Sequence, residues 1–333
     1  RRTLVYGLKR AGRYKEMISR ILAEEGVPQE LIFLAQAESG FLPRAVSYMA
    51  AVGMWQFIQF RGREYGLLQS QWHDDRLDPE KATRAAARHL RDLYRELGDW
   101  HLALAAYNCG PNCVAAAVQR TGYADYWELQ ARHALPRETS NYVPIILAMT
   151  IMTKNAKDYG LDQLILEPPL EYDSVKLDAN TSLQLAADAA DTSLTAMKDL
   201  NPALLHGIAP QFYELRVPKG QAAIVSELIA RVPADKRTLW RLHRPQESDT
   251  LETLARTSDQ VLVVPSAPEP VRTAYRWVWV RGRRVAVPVS AKAPALSAAK
   301  APARATNGRA TAAPSKPAPK PAPAAPAKRP VRS

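Results

Sequence analysis

With 333 residues the chain has room for two domains and a tail, and with 47% hydrophobic residues it can bury a substantial core. No run of ~20 apolar residues is present, so nothing in it reads as a bilayer span. The net charge of +12 is uneven: no Asp or Glu follows Glu269, whereas 14 Lys and Arg do, and taking those 14 from +12 leaves about −2 for the remainder, which argues against a basic, nucleic-acid-binding folded face.

In chain order, residues 3–26 read as a helical lead-in with Ile18, Ile21 and Leu22 on one face. A short helix follows, in which Pro28 suits the first helical position and Glu30 suits the first turn. Leu31, Leu34, Ala35 and Glu38 then fall on one stripe, and Gly40 offers a stop. A carboxylate on a core-facing stripe must be paired or held protonated by desolvation, and a carboxyl kept neutral near pH 7 is what a general acid needs. A structural Glu paired with an Arg is the alternative. The run Ser47-Tyr-Met-Ala-Ala-Val-Gly-Met-Trp-Gln56 is rich in small residues and ends in an aromatic and an amide, with Trp55 as a stacking face and Gln56 as a hydrogen-bonding head, a combination suited to a sugar.

Asp78-Pro79-Glu80 is a helix start with cap, proline and acid in order, and Gly98 ends that helix. Asp99 caps the next, Trp100–Tyr107, which delivers Asn108; another follows Pro111, and Ser140–Lys157 closes the set. The apolar stretch Tyr142–Met152 is too short for a membrane span and reads as a buried helix. Cys109 and Cys113 are too few for structural zinc; a local disulfide needs the Gly-Pro turn to bring the two Cα atoms within reach, and the preferred reading is two small, mostly buried thiols. Glu138 is expected to pair with Arg137 or to cap the last helix. Asp74, Asp75 and Asp78 are the remaining acids for a second carboxylate role; Asp78 is explained by the helix start and the other two read as loop.

Beyond this all-α stretch, Asn180-Thr-Ser-Leu-Gln-Leu-Ala-Ala187 aligns with Asp249-Thr-Leu-Glu-Thr-Leu-Ala-Arg256, and the copies end in Leu215-Arg-Val-Pro218 and Leu262-Val-Val-Pro265. The first copy fits a βααβ unit; the second is too short for two full helices. Trp277–Val287 has the pattern of a short hairpin, and from about 288 the chain is Ala, Pro and Lys with little to bury, so a disordered tail is expected.

Four motifs occur in order: Glu38-Ser39-Gly40, Ser47…Ala51-Val52-Gly53-Met54-Trp55-Gln56, Ala106-Tyr107-Asn108 and Leu135-Pro-Arg-Glu-Thr-Ser-Asn-Tyr-Val-Pro144. Together they resemble the lytic murein transglycosylases, specifically the membrane-bound D type, and the first copy of the repeat resembles the LysM glycan-binding module. The resemblance implies a mainly α, lysozyme-like catalytic domain with a cleft at 1–160, a divergent LysM-like α+β region at 165–265, a hairpin or linker at 266–287 and a tail at 288–333. It implies Glu38 as the catalytic acid and then base in non-hydrolytic cleavage of peptidoglycan, leaving a 1,6-anhydromuramic end. It implies Ser39, Ser47, Met54, Gln56, Tyr107, Asn108 and Tyr142 as substrate contacts, with Met54 in the groove floor and Tyr142 positioning the acid. No cofactor and no metal are implied. The expected partner is the peptidoglycan glycan strand, with the basic tail offering a contact for anionic envelope polymers, and no nucleic acid. The expected location is the periplasm or cell envelope; the chain starts at Arg1 without a leader, so membrane association would come from a signal or lipid anchor that this sequence does not contain. The departures are Ala50 where relatives commonly have Gly, Gln59-Phe-Arg61-Gly62 after the Trp-Gln motif, Cys109, and Pro111-Asn112. A lysozyme-type muramidase and a non-catalytic wall-binding protein are the rival readings.

Overall fold

The computed structural model describes residues 2–243, 262–265, 275–280 and 283–288. The chain forms two units, Arg1–Glu269 and Pro270–Ser333. The first begins with a helical half: α1 (Arg2–Glu24), α2 (Ile32–Ser39), α3 (Gln59–Glu64), α4 (Pro79–Leu97), α5 (Trp100–Cys109), α6 (Pro111–Thr121), α7 (Tyr126–Ala131) and α8 (Arg137–Lys154). The mainly α class expected of this region is what forms.

Local chemistry sets most helix ends. Asp78 accepts the N–H groups of Glu80 and Lys81 ahead of Pro79, and Gly98 ends α4 in the left-handed region. Asp99 accepts Leu102 N–H at the start of α5. Pro28 does not open α2 itself. It precedes a single 3-10 turn, Gln29–Leu31, from which α2 continues, and Gly40 at φ 59° closes it. Leu31, Leu34 and Ala35 enter the core beside Ile18 and Leu22 of α1, as the stripe requires. α2 and α5 both pack on α8, so the end of α2 is fixed against the start of the last helix.

α8 contains Pro144, which has no N–H for the Ser140 carbonyl one turn earlier. That carbonyl accepts Tyr126 Oη at 2.9 Å and Gln130 Nε2 at 2.5 Å instead, both from α7. The sequence reading missed α7, which has only six residues.

After α8 the chain runs back along α1, with Glu167 N–H donating to Lys9 O and Leu170 N–H to Arg13 O. It then forms β1 (Tyr172–Lys176), β2 (Thr181–Ser182), α9 (Leu183–Ala189), α10 (Leu194–Leu200), β3 (Ile208–Ala209), β4 (Glu214–Pro218), α11 (Ala222–Ala230), β5 (Trp240–His243) and β6 (Leu262–Pro265). β1 and β4 pair antiparallel with Val175 opposite Leu215, which completes a βααβ unit around Leu185, Met197, Leu215 and Val217. β6, the end of the second repeat copy, pairs with β5, while residues 249–261 of that copy lie outside the described residues.

The α+β unit is docked on the helical half by the segment after α10. Asp74 N–H donates to Ala203 O at 3.0 Å, Leu205 N–H to Trp72 O at 2.9 Å, and Arg44 Nη2 to Leu204 O at 3.1 Å. Ala203, at 0% exposure, packs on Val52 and Leu77. Beside it Arg216 forms two contacts of 3.0 Å with the carboxylate of Asp78 and lies over the Tyr172 ring, whose hydroxyl donates to Glu80. Asp78 therefore caps α4 and anchors the second half with the same carboxylate.

In the second unit, β7 (Tyr275–Val280) and β8 (Arg283–Pro288) form the expected hairpin. The tail, and with it the contact expected for anionic polymers, lies outside the described residues. Among the described residues no helix is long and apolar enough to cross a membrane.

Candidate active site

Glu38 lies in the last turn of α2, and the phenol of Tyr142, from the second turn of α8, donates a hydrogen bond to its Oε1. Burial raises the Glu38 carboxyl to about 7; the Tyr142 hydrogen bond pulls the other way, and the charge of Glu138 adds to the rise. The group therefore exchanges its proton near neutrality.

A groove of about 520 Å³ opens over Glu38. Ser47, Gln56, Tyr107 and Asn108 line it with Glu38. Ser47 Oγ accepts the N–H groups of Met49 and Ala51 and so holds the turn at the rim. Gln56 sits at φ 51°, and its Nε2 donates to Gly53 O at 2.8 Å. Tyr107 donates to Trp55 O at 2.8 Å, and burial, with Glu38 nearby, pushes its phenol up. Asn108 accepts the Thr139 hydroxyl at 2.7 Å and donates to Glu138, which joins the end of α5 to the start of α8. The loop comes this close to the 3-10 turn Asp75–Leu77 only because position 53 is glycine: at its φ of 89° a Cβ would lie 1.9 Å from Arg76 O.

Two of the predicted site residues, Ser39 and Met54, have side chains engaged elsewhere. Ser39 Oγ donates to Met54 O at 2.8 Å and accepts Leu42 N–H, so it ties the end of α2 to the loop and does not line the groove. Tyr142 reaches Glu38 without lining the groove. The Met54 side chain is not in the groove floor: it is 1% exposed and belongs to the core cluster that also holds Leu34 of α2 and Ala86 of α4. Trp55 is likewise no stacking face; it is fully buried and donates Nε1–H to Thr83 Oγ1 at 2.9 Å.

The acids are sorted by their partners. Asp74 is clamped by Arg76 at 2.7 Å, Asp75 by Lys81 at 2.9 Å, and Asp78 by the α4 N-terminus and Arg216, so all three are engaged and none lines the groove. Glu138 does line it, and among the described residues no ion pair joins it to Arg137. Its spacing of four residues from Tyr142 puts both on one helix face, a signal present in the sequence but unused. His89 and Arg61 were also missed. Burial, with Arg61 adding, lowers His89 to about 4, so this groove-lining imidazole is neutral at pH 7. Ala50 occupies φ 59°, which explains why glycine suits that position.

Cys109 and Cys113 are disulfide-bonded, contrary to the expectation of free thiols. Gly110 at φ 91° reverses the chain between α5 and α6 and leaves the two Cα atoms 5.9 Å apart, within bonding reach. Cys109 follows Asn108 directly and lines the groove. Replacing both cysteines with serine should lower stability by about 2 kcal/mol, the scale for so short a loop, as read from urea melts with and without reductant; equal melts would show that the bond constrains nothing.

Comparison with known proteins matches residues 16–130 to the transglycosylase SLT domain and residues 171–234 to the LysM-like domain of lytic transglycosylase MltD. The membrane-bound lytic murein transglycosylase D of Escherichia coli K12 is 32% identical over 265 residues, covering 74% of this chain and 57% of that protein. The chain thus spans just over half the length of this relative. The peptidoglycan transglycosylase gp16 of Escherichia phage T7 is 36% identical over 100 residues, which is 29% of this chain and 8% of that one. The 70 kDa soluble lytic transglycosylase SLT70 from Escherichia coli superposes with a TM-score of 0.38 at 20% identity, covering 47% of this chain and 27% of the other.

Proposed function

This chain carries a transglycosylase SLT domain followed by an MltD-type LysM-like domain, and from that premise we propose that it cleaves the glycan strands of peptidoglycan without water. The observation that carries the proposal is Glu38: a carboxyl raised to about 7, under an open groove, held by a phenol that cannot neutralise it. Protonated Glu38 gives its proton to the glycosidic oxygen between N-acetylmuramic acid and N-acetylglucosamine as the C1–O bond breaks. The muramic N-acetyl carbonyl stabilises the cation that develops at C1. The C6 hydroxyl of the same sugar then bonds to C1 and returns its proton to Glu38, closing the 1,6-anhydro ring. Ser47, Gln56, Tyr107 and Asn108 supply the polar rim that binds N-acetyl and hydroxyl groups, and Tyr142 holds the acid in place. An intramolecular nucleophile is favoured because it arrives already oriented. The setting that fits this substrate is the periplasm or cell envelope, with the LysM-like region as a further glycan contact.

Glu138 favours a second reading. It is another carboxylate over the same groove, and a water activated by it would make the enzyme a muramidase. Digestion of purified murein in heavy-oxygen water separates the two. The expected products carry no label at the new muramic ends and are lighter by one water than hydrolysis products. Label at those ends would establish hydrolysis and would assign the base role to Glu138, since Asp74 and Asp75 are locked in ion pairs.

A further inference from the structure

Three large apolar side chains at the groove are left in solvent. Tyr48 is 92% exposed, Met49 68% and Ile58 49%, and all three line the groove that holds Glu38. Exposed apolar surface gathered at a binding groove marks a contact that a ligand covers.

The turn that displays two of them is tightly bonded. Ser47 N–H donates to Ala51 O at 2.8 Å and Ala50 N–H to Ser47 O at 3.1 Å, while Ser47 Oγ takes the N–H groups of Met49 and Ala51. Val46 bridges Val52, and Val52 bridges Phe57, at the base of the turn. Ala50 holds a left-handed backbone to complete it. Such a frame fixes the backbone that carries the ring, so that only side-chain freedom remains to be lost when a ligand arrives.

The remainder of the groove is rich in hydrogen-bonding groups, among them Glu38, Gln56, Asn108 and Glu138. A pyranose needs more than these, because one face of its ring is a sheet of C–H groups that packs against an aromatic or aliphatic surface. Trp55 cannot supply that surface, being buried and bonded to Thr83. We propose that Tyr48, flanked by Met49 and Ile58, is a specificity-determining platform that takes the apolar face of a sugar ring neighbouring the cleaved linkage. The proposal rests on the glycan reading of the groove given above.

The test uses the full chain, a soluble uncrosslinked murein glycan of defined length, and the variants Tyr48→Ala, Tyr48→Phe and Tyr48→Trp. Tyr48→Ala should raise KM about tenfold, the scale of losing one ring face from contact. Its kcat should stay within about twofold, because the proton-transfer groups are untouched. The thermal melt should not move, since the side chain is 92% exposed. Phe and Trp should restore the KM. Two results overturn the proposal: a KM for Tyr48→Ala within about twofold of the parent, or a Phe variant as impaired as Ala, which would assign the effect to the hydroxyl. In both of these the parent still cleaves glycan and the wider reading stands. A parent chain that neither binds nor cleaves the glycan removes the wider reading and the platform together.

Discussion

Glu38→Gln should reduce turnover of murein by about 1,000-fold, within the range for removing a general acid, and should do so without harming the fold. The amide keeps the shape of the carboxyl and still accepts the Tyr142 phenol. Stability should even improve at alkaline pH. Burial raises the folded-state value of Glu38 from 4.5 to about 7, so between those limits the folded chain holds a proton that the unfolded chain has released. Stability from this group is therefore complete below the lower value, falls as pH rises toward the upper one, and stays reduced above it. The deficit scales to about 3 kcal/mol, and the Gln variant should be free of it: urea melts at about pH 8 should favour the variant, while melts at about pH 4 should nearly coincide. Activity of the parent should decline above about pH 7 as the acid ionises. More than a few per cent of residual activity in Glu38→Gln would take Glu38 out of the mechanism and leave a wall-binding role open to test.

Ala203→Asp should be the most damaging single change outside the groove. The Ala203 methyl is fully buried against Val52 and Leu77, so a carboxylate there would lose its water inside an apolar contact. A loss of about 3 kcal/mol or more is expected. The damage should reach the substrate as well, because Val52 is paired in the small ladder with Val46 and Phe57 that frames the Ser47–Gln56 loop. KM on a soluble glycan should rise at temperatures where the chain is still folded. Deleting the α+β unit would uncover the same contact and leave Asp78 without Arg216. If Ala203→Asp melts and binds as the parent does, the docking seen between the two halves carries no energy.

What could be read from the sequence was local. The start of α4 at Asp78-Pro79-Glu80 and its stop at Gly98 depend on residues within one turn, so cap chemistry alone marks them. Glu38 was legible because an acid interrupts an apolar stripe just before a glycine. The βααβ unit could be recognised because a second, partial copy repeats its helix start. The loop residues were harder, since Met54 and Trp55 have no periodicity to say which way they face, and only the packing of α2 and α4 decides it. Asp74 and Asp75 read as loop acids because their cations, Arg76 and Lys81, are assigned by the turn between them and α4. Glu138 depends on how α5 meets α8, and the docking segment at 201–205 reads in isolation as an ordinary turn around Asn201-Pro202. The disulfide needed the reversal at Gly110, which spacing alone does not specify.

Pro144 has a further effect on α8. The rung it removes leaves the Ser140 carbonyl open, and two side chains of α7 hold it from outside, like a splint across a break. Ser140 is two residues from Tyr142, so whatever sets the roll of this stretch about the helix axis also aims the phenol at Glu38. The brief helix Tyr126–Ala131 therefore stands in series with the Tyr142–Glu38 hydrogen bond, although none of its residues lines the groove. Lengthening or shortening the connection at 132–136 would swing the splint, and the misalignment would be felt at the acid, on the far side of the helix from the change.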